Sequence, residues 1–224
     1  MIVSRDNERL KLVRKLADRR WRDKLGLFVA EGEDLVDAAR AAGIEPVELL
    51  FAGEDVAPEL LAEVSALGHP PRVVGVYRRD DLPQGVRPLT LALWRVGDPG
   101  NVGTLIRTAD AFGAGVALSP GCADPTGPKA LRASMGALFR APTVPFDDAP
   151  EPRVALVPRD GVPLAELELG RPVTFVLGAE REGLPDEVLV RCEARATIPQ
   201  PGPAESLNVA AAGAIALYEA SRRA

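Results

Sequence analysis

Beyond residue 88 the chain alternates short, uninterrupted apolar runs with segments of helical period, and this alternation restricts the fold more than any other feature. Residues 89–96, 116–118, 154–157, 173–177 and 196–198 read as strands. Between them, Val102, Leu105, Ile106, Ala109 and Phe112 fall on one helical face, and residues 129–135, 185–190 and 206–221 also read as helices. The run VTFVL at 173–177 shows no polar alternation, as expected of a parallel strand buried on both faces. The order predicts a parallel-sheet α/β domain with ligands at the carboxyl ends of its strands.

The segment before residue 77 is smaller and mixed. Leu10, Val13, Leu16 and Ala17 recur at helical spacing, and residues 33–42 form a helix closed by Gly43. Residues 47–51 and 73–76 are strand candidates, with a helix opened by Pro58 and closed by Gly68 between them. The stretch YRRDDLPQGVRP at 77–88 is charged and punctuated by Pro and Gly, so it reads as a linker. The expected division is a small α/β domain over 1–80, a linker over 81–88 and the larger domain over 89–224.

Charge is unevenly distributed. Net charge is −5 over 224 residues, yet residues 1–24 hold nine basic and four acidic side chains. Binding to phosphate depends on such local fields rather than on the total. A solvated helix face explains the same cluster without a ligand. Two cysteines, Cys122 and Cys192, and one histidine give no metal cluster or disulfide framework. The absence of an apolar run of membrane length and of a leader-like amino terminus points to a cytoplasmic protein. No dinucleotide fingerprint, phosphate-binding P-loop or nucleophile elbow is present.

Three loop-to-helix junctions hold the chemically interesting residues. The first, DPGNVGTLIRTADAFG at 98–113, follows a strand; Asn101 is a capping type, Gly103 permits close backbone approach, and Arg107 lies among apolar sequence neighbours. The second, LGAEREGLP at 177–185, folds around Glu180. The third, IPQPGPAESLN at 198–208, offers Ser206 or Asn208 as caps for the final helix, whose amino end favours anions and polar ligands. Each junction taken alone is equally consistent with ordinary capping and surface turns.

In this order the segments DPGNVGTLIRTADAFG, VLGAEREGLP and IPQPGPAESLNVAAAGAIAL resemble the motifs of the SpoU family of RNA 2′-O-ribose methyltransferases, within the SPOUT superfamily. The segment KALRASMGALFR at 129–140 is similar to the region between the first two motifs. NERLKLVRKL and FVAEGE near the amino terminus resemble the L30e-like substrate-binding domain that precedes many such enzymes. One departure is Gln200, where the family usually has Met after Ile-Pro; it is expected to neighbour the site rather than react.

The resemblance implies S-adenosylmethionine as methyl donor, a deep trefoil knot in the carboxyl-terminal domain and a homodimer with both subunits at each site. It implies Arg107 as the cation that stabilises the attacking ribose oxygen, Asn101 as a group that holds Arg107 or the ribose, Glu180 as a residue that fixes this polar cluster, and Ser206 and Asn208 as hydrogen-bonding groups near the methyl donor and the hydroxyl. Leu177, Gly178, Ile198 and Leu207 would hold the adenosine. Arg14, Lys15, Arg19, Arg20 and Arg22 are expected to meet RNA phosphates, in ribosomal rather than transfer RNA. The alternatives are a non-catalytic RNA-binding protein of the same fold and a small-molecule methyltransferase; the latter leaves the basic amino-terminal segment without a purpose.

Overall fold

The computed structural model describes residues 1–65, 70–168, 170–202 and 206–222; Gly68, expected to close a helix, lies outside them. The first part comprises α1 (Glu8–Leu16), α2 (Arg19–Leu25), β1 (Leu27–Glu31), α3 (Glu33–Ala41), β2 (Glu48–Phe51), α4 (Pro58–Val64) and β3 (Val73–Arg78). Its three strands form an antiparallel sheet in the order β1-β3-β2. The second part comprises β4 (Leu89–Leu93), α5 (Pro99–Ala111), β5 (Gly115–Leu118), α6 (Pro128–Ser134), β6 (Thr143–Pro145), β7 (Arg153–Leu156), β8 (Val162–Pro163), β9 (Val173–Leu177), α7 (Asp186–Leu189), β10 (Ala194–Thr197) and α8 (Val209–Ser221).

These seven later strands pair in the order β6-β5-β4-β9-β7-β10-β8, and every pairing is parallel. Both faces of the sheet centre are covered. Leu89, Leu91 and Leu93 of β4 join the core under α5 and α8, while Ala92, Ala117 and Val176 face Phe146, Ala149 and Val188. The apolar run of β9 is therefore buried throughout, as its composition demands.

Small residues bring the helices close. A Cβ on Gly103 of α5 would lie 2.2 Å from the Ala130 carbonyl oxygen in α6. One on Gly213 of α8 would lie 2.4 Å from Leu105 Cδ2 in α5. Helix α5 thus has little freedom to slide between its two neighbours, which fixes the spacing of the loops that lead into α5 and α8.

The expected linker is not a free tether. Tyr77 and Arg78 complete β3, Arg79–Asp81 form a 3-10 turn, and Leu82 is buried. Phe28, Ala30 and Tyr77 of the small sheet belong to the same core as the large domain. Phe28, Tyr77 and Phe139 form an aromatic trio with ring centroids 5.5–6.0 Å apart. The opposite face of the small sheet carries its own core, built on Leu10, Val13, Leu16, Leu50, Leu61 and Val74. Helix α2 and strand β1, unread in the sequence, are separated only by Gly26, whose left-handed conformation (φ 64°) ends the helix. The two edge strands β6 and β8, of three and two residues, are too short to carry a readable period.

One expected phosphate contact is corrected here. Arg22 is 5% exposed, and its Nε donates to Asp124 Oδ2 at 2.8 Å while Nη1 donates to the Leu16 and Ala17 carbonyl oxygens. Arg79 Nη2 donates to the same Asp124 oxygen at 2.7 Å and to Thr126 Oγ1, and its Nη1 reaches Asp23. Asp124 belongs to the loop after β5, so these arginines tie the two domains together. A guanidinium this deeply buried, with its Nε and Nη1 donors turned to protein oxygens, is not presented to a phosphate. Burial on its own would raise the Asp124 carboxyl, but the Thr126 hydroxyl and the two guanidiniums outweigh it and hold the group below its ordinary range.

Asp124→Asn removes the counter-charge of a buried arginine and is expected to cost about 3–5 kcal/mol, read by urea unfolding at pH 7. The depressed carboxyl contributes fully above the ordinary aspartate pKa of about 4, and this contribution fades as pH falls through the lower, folded value. The variant's stability should therefore be flatter in that acid window. A loss under about 1 kcal/mol would overturn this account of the domain junction.

Candidate active site

The amino terminus of α5 is built by Asp98, not Asn101. Asp98 Oδ1 accepts from the Asn101 backbone N–H at 2.8 Å, and Pro99 takes the first helical position, where no N–H is needed. This correction has a consequence: Asn101 does not spend its side chain on capping. Its Nδ2 donates to Glu180 Oε1 at 2.9 Å, and its Oδ1 accepts from Asn208 Nδ2 at 3.1 Å. Asn208 Oδ1 in turn accepts from the Ala210 and Ala211 backbone N–H groups, so Asn208 is the cap of α8. Ser206, the other capping candidate, does not cap α8.

One polar chain, Glu180–Asn101–Asn208, therefore links all three junctions. Each carboxamide uses its oxygen in one direction and its nitrogen in the other, so only one orientation of the two amides satisfies the whole chain. The carboxylate end and the helix-capping end are fixed by backbone geometry, which orients the middle.

This chain stands at the edge of a cavity of about 500 Å3, within the usual range for small-molecule sites. The cavity opens at the carboxyl ends of β7, β9 and β10, where a parallel sheet places its ligands. Leu177, Ile198 and Leu207 supply an apolar lining; Glu180, Arg181, Ser206 and Asn208 supply polar groups. Gly178 makes the turn possible. A Cβ there would lie 2.3 Å from the Gly183 carbonyl carbon and 2.7 Å from the Leu184 nitrogen, both backbone atoms that cannot swing aside.

Of the expected site residues, Glu180, Ser206, Asn208, Leu177, Gly178, Ile198 and Leu207 all line this cavity, and Asn101 is joined to it through Asn208. Arg107 does not line it. It lies on the exposed face of α5, along with Thr104 and Ala111, and not in a dry pocket within one chain. Arg14, Lys15, Arg19 and Arg20 are exposed on α1 and α2. Arg14 donates to the Arg5 carbonyl oxygen and Arg19 to that of Cys122. Sequence reasoning missed Leu156, Val157 and Pro158, which line the cavity from the end of β7, and it placed Gln200 beside the site where the side chain lines it directly. The signal available for Gln200 was period-two spacing from Ile198 in an extended, proline-marked segment.

The chain is similar over nearly its whole length to known proteins. Residues 88–218 match the SpoU rRNA Methylase family, and residues 7–78 match the MRM3-like substrate binding domain. The chain belongs to the SpoU rRNA methylase family. It is 31% identical to a 23S rRNA (guanosine(2553)-2′-O)-methyltransferase of Bacillus subtilis, over 97% of each chain. It superposes on the AdoMet-bound rRNA methyltransferase of Sinorhizobium meliloti with a TM-score of 0.88 at 32% identity, covering 99% of this chain and 97% of that one. It superposes on the SpoU methyltransferase AviRb from Streptomyces viridochromogenes, in complex with AdoMet, with a TM-score of 0.86 at 28% identity, covering 97% and 98%. Among the described residues, no cluster of His, Cys, Asp or Glu is placed to hold a metal ion.

Gly178→Ala is expected to force the 178–184 turn open. The Gly183 N–H, which donates to the Ala179 carbonyl oxygen at 2.9 Å, should then exchange with solvent faster by at least tenfold. Unchanged protection at that amide would contradict the backbone-contact account.

Proposed function

We propose that this chain transfers the methyl group of S-adenosylmethionine to a ribose 2′-hydroxyl of ribosomal RNA. The observation that carries this reading is the hydrogen-bonded chain of Glu180, Asn101 and Asn208, drawn from three separate junctions and standing at the edge of one cavity. The cavity fits the donor: Leu177, Ile198 and Leu207 offer an apolar slot for adenine, and Gly178 leaves backbone exposed where a Cβ would fill the cradle. The methionine part would lie toward Ser206 and Asn208. When bound, the donor supplies a sulfonium-activated methyl group.

The chain's own residues must orient the hydroxyl and stabilise charge on its oxygen as that oxygen attacks in line. Arg107 is assigned to this charge. A guanidinium stays protonated at physiological pH, so it acts by electrostatics and orientation, and the hydroxyl proton leaves to water or phosphate. Asn101 and Asn208 position the ribose, and Glu180 anchors Asn101 through the hydrogen bond already described.

Exposure of Arg107 outside the single-chain cavity supports a homodimer in which the neighbouring subunit closes the site. The face of α8 that carries exposed Ala211, Ile215 and Tyr218 is apolar and suits such a partner. The reading includes a deep trefoil knot in the carboxyl-terminal domain, supported by the superposition of the whole chain on methyltransferases of this family. It also includes an L30e-like RNA-binding domain over 1–80 and a catalytic domain over 89–224, supported by the separate matches to residues 7–78 and 88–218. Ribosomal RNA is preferred over transfer RNA because the full-length relatives named above act on, or are named for, ribosomal RNA. No helix of the described residues is long and apolar enough to cross a membrane, in keeping with a cytoplasmic enzyme. With Arg22 spent in the domain junction, the RNA-facing cations are Arg14, Lys15, Arg19 and Arg20.

Tritium transfer from labelled S-adenosylmethionine to unmodified ribosomal and transfer RNA, followed by nucleoside analysis, tests the reading; a labelled 2′-O-methyl nucleoside from ribosomal RNA is the expected product. Arg107→Ala should lower transfer by at least about 100-fold while S-adenosylhomocysteine still binds in calorimetry. Near-normal turnover would overturn the role given to Arg107. Replacing Arg14 and Arg20 with Gln should weaken RNA binding and reduce the slope of log affinity against log salt by about two. An unchanged slope would remove these residues from the RNA interface.

A further inference from the structure

Among the described residues of the cavity wall, Gln200 is the side chain with a polar oxygen out of reach of water and without a partner. Its Oε1 is buried and accepts no hydrogen bond. A buried carboxamide oxygen left in this state is costly, and native proteins retain few of them without a compensating role. Its position narrows that role. Ile198 and Gln200 both line the cavity and the intervening Pro199 does not, so the segment presents alternate side chains to the same space. Gln200 therefore stands beside the apolar wall that Ile198 and Leu207 provide.

Chemistry narrows it further. A carboxamide carries an acceptor and a donor side by side, spaced to meet the adenine edge: the oxygen accepts from the exocyclic N6–H and the NH2 donates to a ring nitrogen. On the N6/N7 edge a purine with a carbonyl at that position presents two acceptors side by side, so a carboxamide in either orientation keeps at most one of the two bonds. Rotation about the terminal side-chain torsion of Gln, which is broad, is enough to turn the oxygen from the wall into the cavity.

We infer that Gln200 reads the adenine base of the nucleoside bound in this cavity, as a specificity-determining residue whose carboxamide satisfies its orphaned oxygen on the adenine amine. The inference rests on the proposed use of the cavity for an adenosyl cofactor. It assigns the discrimination of the base to a side chain, beyond the apolar slot and the glycine turn that set its shape.

The test compares binding of S-adenosylhomocysteine and S-inosylhomocysteine by calorimetry to the full chain and to Gln200→Met, an apolar residue of similar volume. Wild type is expected to prefer the adenosyl compound, and Gln200→Met should narrow that preference by about tenfold, chiefly by weakening the adenosyl compound. A thermal melt within a few degrees of wild type checks that the variant is folded, and Gln200→Glu, which keeps the acceptor and loses the donor, should fall between the two. Equal weakening of both ligands, or an unchanged ratio, assigns Gln200 to packing alone and overturns the inference. Binding of neither compound to wild type would overturn the cofactor reading of the cavity, and this inference with it.

Discussion

Asn208 divides its side chain between two duties, and the site depends on that division. Its oxygen ends the otherwise unsatisfied first turn of α8, and its nitrogen reaches across to Asn101 at the start of α5. The first duty fixes the amide on a rigid helix, so the second becomes a precise statement about another element. Asn101 can answer only because Asp98 has taken over the capping of α5. The close crossing at Gly213 holds the two helices at the distance this exchange requires. Packing and polar geometry are one constraint here: a bulkier residue at the crossing would move Asn208 away from Asn101 before it touched any ligand.

The same economy appears where the two domains meet. Asp124 serves two arginines from the small domain, and the aromatic trio of Phe28, Tyr77 and Phe139 joins the two domains as a second contact. Apolar contact supplies most of the attraction, since it scales with the area removed from water. The ion cluster supplies register, because buried charges tolerate few arrangements. The basic face of α1 and α2 and the large-domain cavity consequently share one framework.

Much of this was legible in the residues, and the failures have physical causes. The buried strands of the large sheet announced themselves because a strand covered on both faces has no polar positions to confuse with a helix. Strand β1 did not, because five residues between two helices carry too little periodicity, with only a glycine at either end, Gly26 and Gly32, to mark it. Asn101 was misread as a cap because Asp98 and Asn101 are both good capping types; the proline at 99 marks the first helical position and decides for Asp98. Arg107 has apolar neighbours in sequence, but Leu105, Ile106 and Ala109 turn to the core while position 107 turns away from it. Arg22 belongs to a visibly basic segment, yet charge in a sequence says nothing of burial. The cavity lining from β7 was invisible because strands adjacent in the sheet are far apart in the chain.

That last feature also orders the birth of the molecule. The central strand β4 pairs on one side with β5, which follows it closely, and on the other with β9, where Leu89 lies against Val173. During synthesis half of the hydrogen-bonding edge of β4 must wait, apolar and open, until the chain has grown past β9. Non-local pairings of this kind are slow to close and expose sticky edges meanwhile. The small domain, whose antiparallel strands all lie within residues 27–78, is complete long before then, and its face bearing Phe28 and Tyr77 offers the unfinished sheet its first solid surface to condense upon.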